Sequence, residues 1–135
     1  MTKYLGGCLC NSVRYTLTSE PQWVGACHCR NCQKQAGTAF SVVMAVPRDS
    51  VSIEGELSTY VDHSDAGTEV LRKFCGKCGS PVFTDTAMAE ARGIIFIKTG
   101  SLDDTKGFVP SMHFWTQSKQ DWVPISEGQK IIEKQ

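Results

Sequence analysis

The amino-acid sequence predicts a mainly β domain that carries metal sites at the ends of its strands. Short apolar or alternating runs recur along the 135 residues, and Gly, Ser, Asp or Pro separates each run from the next. One early segment has the length and the stop signal of a helix. Seven cysteines fall into close groups, a spacing more typical of metal ligands than of core residues.

The first predicted elements are two strands followed by a helix. At residues 13–17, apolar side chains alternate with Arg14 and Thr16, the pattern of a half-buried strand. A short second strand is predicted at Trp23–Cys27. The helix is predicted at Arg30–Ala36, and Gly37 supplies its stop signal because glycine readily adopts the left-handed conformation that ends helices.

The later strands are predicted from further short apolar runs. The run at residues 39–46 is stopped by Pro47. Four more strands are predicted, at residues 57–62, 69–75, 81–84 and 94–99.

An aromatic cluster lies near the C-terminal end of the sequence, around one more predicted strand. It contains His113, Phe114, Trp115 and Trp122. We expect the tryptophans to pack in the core and to cover the sheet, because large aromatic rings bury extensive apolar surface.

Length and charge bound the class of protein. A chain of 135 residues predicts a single domain spanning residues 1–135. Lys and Arg number 14, as do Asp and Glu, so the formal charge is zero, which argues against nucleic acid or a membrane surface as the main partner. No apolar stretch approaches the ~20 residues of a membrane-spanning helix. Residues 1–7 lack the features of a secretory signal, so we expect a cytoplasmic protein.

The seven cysteines favour metal binding over disulfides. An odd number cannot pair completely within one chain, and reduced thiols are the rule in the cytoplasm. The three groups are Cys8 and Cys10; Cys27, Cys29 and Cys32; and Cys75 and Cys78.

The spacing within each group suits chelation of one ion. In a strand, residues i and i+2 share a face, so Cys8 can act with Cys10, and Cys27 with Cys29. In a helix, residues i and i+3 share a face, which brings Cys32 to Cys29. The CGKCGSP segment that contains the last pair resembles a zinc knuckle, in which glycines permit a tight turn.

Ligand counting favours two unlike zinc sites. A structural zinc site takes four ligands, whereas a catalytic site takes three and keeps one position open. If every group stays intact, only the two pairs make a set of four. The predicted sites are therefore a closed one with Cys8, Cys10, Cys75 and Cys78, and an open one with Cys27, Cys29 and Cys32.

Two other arrangements rank lower. A zinc ribbon would join Cys29 and Cys32 to Cys75 and Cys78, but it breaks the group of three and leaves three cysteines without a site. Iron–sulfur ligation ranks third, because seven cysteines cannot fill two four-cysteine clusters and their spacing is not that of a ferredoxin.

An open zinc site with three thiolates favours thiol chemistry. Three anionic sulfurs outweigh the charge of Zn²⁺, so the ion generates hydroxide less readily than one held by neutral histidines. A soft site accepts a further soft thiolate, and binding deprotonates the thiol. Arg30 and Lys34 would offset part of the negative charge. The sequence thus predicts a site that binds and activates a small thiol.

The histidines are weaker candidates. His28 lies between two predicted ligands, so on a strand it would point away from the metal, and a supporting role is favoured over ligation or proton relay. His113 is an open candidate for the site. His63 lies in a polar segment and is expected to be solvated.

Several charged residues are further candidates for polar roles. Arg48, Arg72, Lys73 and Lys98 could bind a substrate carboxylate, although such residues usually form a solvated face. Asp103 follows a predicted turn and could cap it or support the site.

Five segments together carry a resemblance to a known family. They are GGCLCNSVRY, CHCRNCQKQAG, RKFCGKCGSPVF, TGSLDD and PSMHFW, the last followed by Trp122. In this order they resemble the glutathione-dependent formaldehyde-activating enzyme family, which includes centromere protein V. The resemblance runs from Gly6 to about Trp122, and the three-part cysteine pattern is highly specific.

The resemblance implies a fold, a ligand set and a reaction. The fold is a β-tent-like domain of short antiparallel strands with two zinc sites and one or two short helices. The implied structural ligands are Cys8, Cys10, Cys75 and Cys78, and the implied catalytic ligands are Cys27, Cys29 and Cys32. The implied reaction adds glutathione to formaldehyde and gives S-(hydroxymethyl)glutathione, the work of a carbon–sulfur lyase. The expected partners are a small thiol such as glutathione and a small aldehyde.

Two other functions compete with this reading. A noncatalytic zinc module that binds a protein partner is the main alternative. Methionine sulfoxide reduction also combines a zinc knuckle with a reactive cysteine. It needs a free cysteine outside the metal sets, and none is spare if two ions bind.

Overall fold

The computed structural model describes residues 3–134, and within them the chain forms eleven strands and two α-helices. The strands are β1 (Tyr4–Gly7), β2 (Arg14–Leu17), β3 (Trp23–Cys27), β4 (Ser41–Pro47), β5 (Val51–Glu54), β6 (Leu57–His63), β7 (Glu69–Cys75), β8 (Pro81–Asp85), β9 (Ile94–Lys98), β10 (Met112–Phe114) and β11 (Lys130–Ile132). The helices are α1 (Arg30–Ala36) and α2 (Ala87–Ala91).

The strands form two sheets, which confirms the mainly β prediction. The smaller sheet has the order β1-β2-β5 and is antiparallel. The larger sheet has the order β11-β10-β3-β4-β9-β8-β7-β6. Its strands are antiparallel except around β10, which runs parallel to both β3 and β11.

The predicted helix is confirmed as α1, and its sequence explains both ends. The Cys29 thiol caps the helix by accepting a hydrogen bond from the Cys32 backbone N–H at 3.2 Å. Gly37 ends it in the left-handed conformation, with φ of 71°. At seven residues α1 is far shorter than the ~20 that a bilayer requires, and no helix in the described range 3–134 could span a membrane.

The sequence patterns missed several short elements. These are the strands β1, β5 and β11 and the helix α2, which have three to five residues each. In β1, Gly6 lies beneath the Tyr15 ring, and a Cβ there would lie 2.4 Å from the Tyr15 hydroxyl. The run at residues 39–46 forms β4, which ends at Pro47 as predicted, and Pro47 is itself the last residue of the strand, paired with Ile94.

The hydrophobic core takes residues from both sheets. Tyr15 and Leu17 of β2, in the smaller sheet, and Val13, just before that strand, are almost completely buried. The larger sheet contributes mainly β4, β8 and β9, with Met44, Val46, Val82, Phe83, Ile95 and Ile97. The centre of the larger sheet is therefore fixed by burial against β2.

The other face of the larger sheet positions the candidate site. Successive side chains in a strand point to opposite faces, so Phe96 and Lys98 point away from the core that Ile95 and Ile97 enter. Both line a cavity that also reaches the thiol of Cys27 at the end of β3. One sheet therefore carries the core on one face and the candidate site on the other.

We expect Ile97→Ala to lower the free energy of unfolding by about 2–5 kcal/mol, because it opens a cavity in a fully buried position. Ile131→Ala is the matched control, since Ile131 is 54% exposed, and its effect should stay within about 0.5 kcal/mol. Denaturant unfolding monitored by circular dichroism measures both. Equal losses in the two variants would contradict the assignment of β9 to the core.

Candidate metal centres and the adjoining cavity

Four thiols meet between the β1–β2 loop and the β7–β8 turn. The sulfurs of Cys8, Cys10, Cys75 and Cys78 lie within 4.8 Å of one another. Cys10 Sγ lies 3.6 Å from Cys8 Sγ and 3.7 Å from Cys75 Sγ. A tetrahedral zinc ion with Zn–S bonds of about 2.3 Å needs sulfurs about 3.8 Å apart. This donor set therefore fits a closed zinc site.

Two serine hydroxyls support ionised thiols in this cluster. Ser12 Oγ lies 3.2 Å from Cys10 Sγ, and Ser80 Oγ lies 3.2 Å from Cys78 Sγ. These contacts lower the pKa of Cys10 and lower that of Cys78 to about 5. Metal ions bind thiolates rather than thiols, so the lowered pKa values favour metal binding.

Three further thiols meet where β3 leads into α1. Cys27 ends the strand, Cys29 caps the helix and Cys32 lies in its first turn, and their sulfurs lie within 4.8 Å of one another. The structure thus brings the seven cysteines together as four and three. The zinc-ribbon alternative is not formed, because Cys29 and Cys32 lie in a different cluster from Cys75 and Cys78.

Two buried cations lie beside the three-thiol cluster. Both terminal nitrogens of Arg72 lie 3.8 Å from Cys32 Sγ, and its Nε donates to Asp62 Oδ2 at 2.9 Å. Lys98 donates from Nζ to Ser41 Oγ at 2.5 Å. Ser41 is paired with Cys27 across β3 and β4, so the ammonium group lies near the cluster.

These cations are the site residues that sequence reasoning ranked too low. The sequence favours a solvated position for both residues, but Arg72 is only 5% exposed and Lys98 only 6% exposed. Among residues 3–134, no carboxylate lies within ion-pair distance of Lys98 Nζ. Burial lowers the pKa of Lys98, and negative charge on Cys32 opposes that shift. A buried ammonium without a carboxylate partner indicates an anionic neighbour or ligand.

The three thiols share negative charge unevenly. Hydrogen bonds from Cys27 and Cys29 hold the pKa of Cys32 far below its usual value, and Arg72 and Lys98 add to the effect. Hydrogen bonds to Cys29 and Cys32, together with burial, raise the pKa of Cys27. Negative charge is therefore favoured on Cys32 over Cys27, and a bound metal ion, which takes thiolates as ligands, would release the other protons.

A cavity of about 660 Å³ opens beside the three-thiol cluster. Its polar wall includes Asn31, Asp62 and Arg72, with Asn31 Nδ2 donating to Asp62 at 3.0 Å. Its apolar lining is partly aliphatic and includes a group of aromatic rings in which Trp23 packs against Phe96 and Phe114, here called the aromatic wall. The cluster of Cys27, Cys29 and Cys32 is thus reachable by a molecule bound in the cavity.

The buried histidines form a chain outside both clusters. Gln129 donates to the Pro110 carbonyl at 2.9 Å, so its amide oxygen accepts from His113 Nε2 at 2.6 Å. His113 Nδ1 must then accept from His28 Nε2 at 2.9 Å. Burial and then the neighbouring His113 and Lys119 lower the pKa of His28 to about 4, so His28 is neutral near pH 7. In the described part of the chain no histidine joins a thiol cluster, so the structure places His28 outside both predicted ligand sets.

The structure places the remaining candidates away from the thiols. Arg48 forms an ion pair with Asp85, and Asp103 forms one with Arg14. His63 is exposed, as predicted, on the rim of the cavity. The expectation that Trp122 packs in the core is wrong, because the ring is 70% exposed and its Nε1 donates to Gln120 at 2.7 Å.

Of the two basic residues predicted to offset the thiolate charge, Arg30 and Lys34, only Arg30 lines the cavity beside the three thiols. Arg30 lines the cavity, but its guanidinium donates to Gln33 Oε1 at 2.5 Å. Lys34 borders a separate, shallow polar depression. The charge beside the thiols comes instead from strands that are distant in sequence.

Comparison with known proteins shows that the sequence matches one protein family. Residues 3–118 match the family model described as "Glutathione-dependent formaldehyde-activating enzyme". A Talaromyces marneffei protein provisionally given that name is 33% identical over 102 residues, covering 75% of this chain and 54% of its own. A Phaeosphaeria nodorum protein with the same provisional name is 35% identical over 104 residues, covering 75% of this chain and 53% of its own. The chain spans about half the length of these curated relatives.

A solved structure shares the fold. It is the crystal structure of a Rhodobacter sphaeroides protein, with a TM-score of 0.58 and 17% sequence identity. The match covers 78% of this chain and 97% of the other.

We expect two zinc ions per chain, with unequal resistance to chelators. The closed four-thiol set should retain its ion in a chelator that strips the open three-thiol set, because a fourth protein ligand slows release. Native mass spectrometry of protein treated with increasing chelator measures the loss. Two variants test the two sites separately. Cys78→Ser should impair folding, because binding of a structural zinc contributes on the order of 10 kcal/mol to the free energy of folding. Cys32→Ser should stay folded and retain one ion.

Two results would contradict this partition. One is a single ion, or two ions lost together, in the wild-type chain. The other is unfolding of Cys32→Ser as complete as that of Cys78→Ser, which would make the three-thiol set structural.

Proposed function

The chain belongs to the glutathione-dependent formaldehyde-activating enzyme family, and on that premise we propose that it is a zinc-dependent carbon–sulfur lyase. The proposed reaction is the reversible addition of a thiol, such as glutathione, to a small aldehyde, such as formaldehyde. The observation that carries the proposal is the three-thiol cluster that opens into a cavity beside two buried cations. The reduced cysteines suit the cytoplasm as its compartment.

The proposed metal ligands divide between a structural and a catalytic role. Cys8, Cys10, Cys75 and Cys78 would hold an ion that ties the two sheets together. Cys27, Cys29 and Cys32 would hold the other. When bound there, zinc would supply an open coordination position and lower the pKa of a thiol from its usual value of about 8.5.

Arg72 and Lys98 would hold an anionic sulfur at the site. Three thiolates carry more negative charge than one zinc ion neutralises, so a further thiolate needs nearby cations. Arg72 already contacts Cys32 and is fixed by Asp62, so its guanidinium is held in place at this end of the cavity. Lys98 donates one N–H to Ser41 and, among residues 3–134, has no carboxylate partner, which leaves its other N–H groups available to a ligand.

Lys98 and Ser41 would stabilise the charge that develops on the aldehyde oxygen. As the thiolate sulfur attacks the carbonyl carbon, the C=O π electrons move to oxygen. The ammonium group and the hydroxyl, 2.5 Å apart, can both donate hydrogen bonds to that oxygen. The proton lost by the thiol ends on this oxygen, and the reverse path expels the aldehyde.

The direct test follows exchange between formaldehyde, glutathione and their adduct by NMR. We expect zinc-loaded protein to accelerate exchange above the buffer background, and the folded Cys32→Ser variant to lose the acceleration because the three-thiol cluster is broken. Exchange no faster than buffer, from folded protein with two zinc ions, would contradict the proposal. It would favour the noncatalytic zinc module instead.

We expect Lys98→Met to lower the exchange rate constant by about 10²- to 10³-fold, the usual cost of removing one donor to a developing oxyanion. Lys98→Arg should restore part of the rate, because it keeps a charged donor. Lys73→Met is the matched control, since Lys73 lies next to Arg72 on β7 and does not line the cavity. A Lys98→Met rate within twofold of the wild-type rate would exclude Lys98 from catalysis.

A further inference from the structure

The cavity is larger and more apolar than formaldehyde requires. Its volume of about 660 Å³ lies within the range of about 300–1,000 Å³ that encloses drug-sized molecules, whereas formaldehyde has one carbon. A charged thiol such as glutathione accounts for the polar wall of Asn31, Asp62 and Arg72. It leaves the aromatic wall of Trp23, Phe96 and Phe114 without a role.

The rings of the aromatic wall are held in place by contacts with one another. The Trp23 ring centroid lies 5.4 Å from that of Phe114 and 5.7 Å from that of Phe96, both in tilted arrangements. Gly25 lies beneath the contact, and a Cβ there would come within 2.7 Å of the Phe114 ring. Glycine at this position therefore allows Trp23 and Phe114 to meet over the strand.

The aromatic wall begins beside the reactive thiols. Phe114 is paired directly with Cys27 in the parallel register of β10 and β3. Trp23 lies four residues before Cys27 on the same strand, so it shares its face at a distance of about 13 Å. A molecule whose reacting carbon is at the Cys27 end can therefore extend its remaining atoms along this wall.

We propose that the aldehyde partner carries an aryl group, which packs against Trp23, Phe96 and Phe114. The proposal rests on the proposed function and names the substrate class at the same site. The charged thiol binds next to Arg72, and Phe96 lies two strands away on the same face of the sheet, because Arg72 is paired with Thr84 and Thr84 with Phe96. A substituent on the carbon bonded to the thiol sulfur can therefore extend over the sheet towards the aromatic wall. Aromatic rings pack favourably in tilted or offset contacts with other rings, which suits an aryl substituent here.

The reaction balances without an oxidant or a reductant. The thiolate sulfur bonds to the carbonyl carbon, and the C=O π bond breaks as its electrons move to oxygen. The proton released by the thiol is taken up by that oxygen. The product is a hemithioacetal with an aryl group on its carbon.

The test measures glutathione exchange with benzaldehyde, cyclohexanecarbaldehyde and formaldehyde by NMR in the zinc-loaded wild-type protein. We expect the KM for benzaldehyde to be at least about tenfold below that for formaldehyde, since favourable ring contacts are worth about that factor. The KM for cyclohexanecarbaldehyde should lie between them. Equal KM values for benzaldehyde and cyclohexanecarbaldehyde would overturn the aryl assignment.

A variant locates the effect. Trp23→Leu should raise the KM for benzaldehyde about tenfold more than the KM for formaldehyde, because it removes the central ring of the wall. Trp122→Leu is the matched control, since that ring is 70% exposed and does not line the cavity, and both KM values should match the wild type. Equal changes for the two aldehydes in Trp23→Leu would overturn the proposal.

Failure of the proposal and failure of the proposed function give different results. Accelerated exchange with formaldehyde but not with benzaldehyde would overturn the aryl proposal and leave the lyase intact. If no aldehyde exchanges faster than in buffer, the proposed lyase activity is contradicted. Binding of benzyl alcohol, an unreactive probe, then tests whether the aromatic wall still binds an aryl group. Saturation-transfer NMR should detect that binding in the wild type and find it weakened in Trp23→Leu; no binding would overturn the subsite as well.

Discussion

Thiol sulfurs held within 4.8 Å of one another cannot all ionise unless a cation lies among them, and the fold brings thiols this close in two places. The four-thiol set links the β1–β2 loop of the small sheet to the β7–β8 turn of the large sheet. The three-thiol set lies at the junction of β3 and α1, where the helix cap is itself one of the thiols. The first set joins elements that are distant in sequence, whereas the second opens into a cavity.

The alternation of side chains along the strands connects stability with chemistry. In β9, Ile95 and Ile97 enter the core, and Phe96 and Lys98 line the cavity. The same alternation places Trp23, Gly25 and Cys27 on one face of β3. Rigid packing on the core face therefore holds the cavity wall in register, so that the thiols, the cations and the aromatic rings keep fixed relative positions.

The sequence was informative where a local pattern decides the structure. The helix with its glycine stop, the main strands and the three close groups of cysteines follow from short-range spacing, whereas the joining of two pairs into a set of four follows from counting ligands. The roles of Arg72, Lys98 and Trp23 depend on pairing between strands far apart in the chain, which no local pattern records. The exposure of Trp122 is not predicted either, because the hydrophobic character of a side chain does not show whether another part of the fold covers it.

The proposed chemistry requires that the three-thiol cluster bind a metal ion and leave one coordination position open to a substrate thiol. Substitution of cobalt for zinc tests it most directly, because thiolate-to-cobalt charge-transfer bands report each sulfur that binds. We expect added glutathione to shift these bands saturably in the wild-type protein and to have no effect in Cys32→Ser. Bands in the cobalt-loaded wild-type protein that do not respond to glutathione would show that the protein itself fills the fourth coordination position, so that the site has no open position for a substrate thiol.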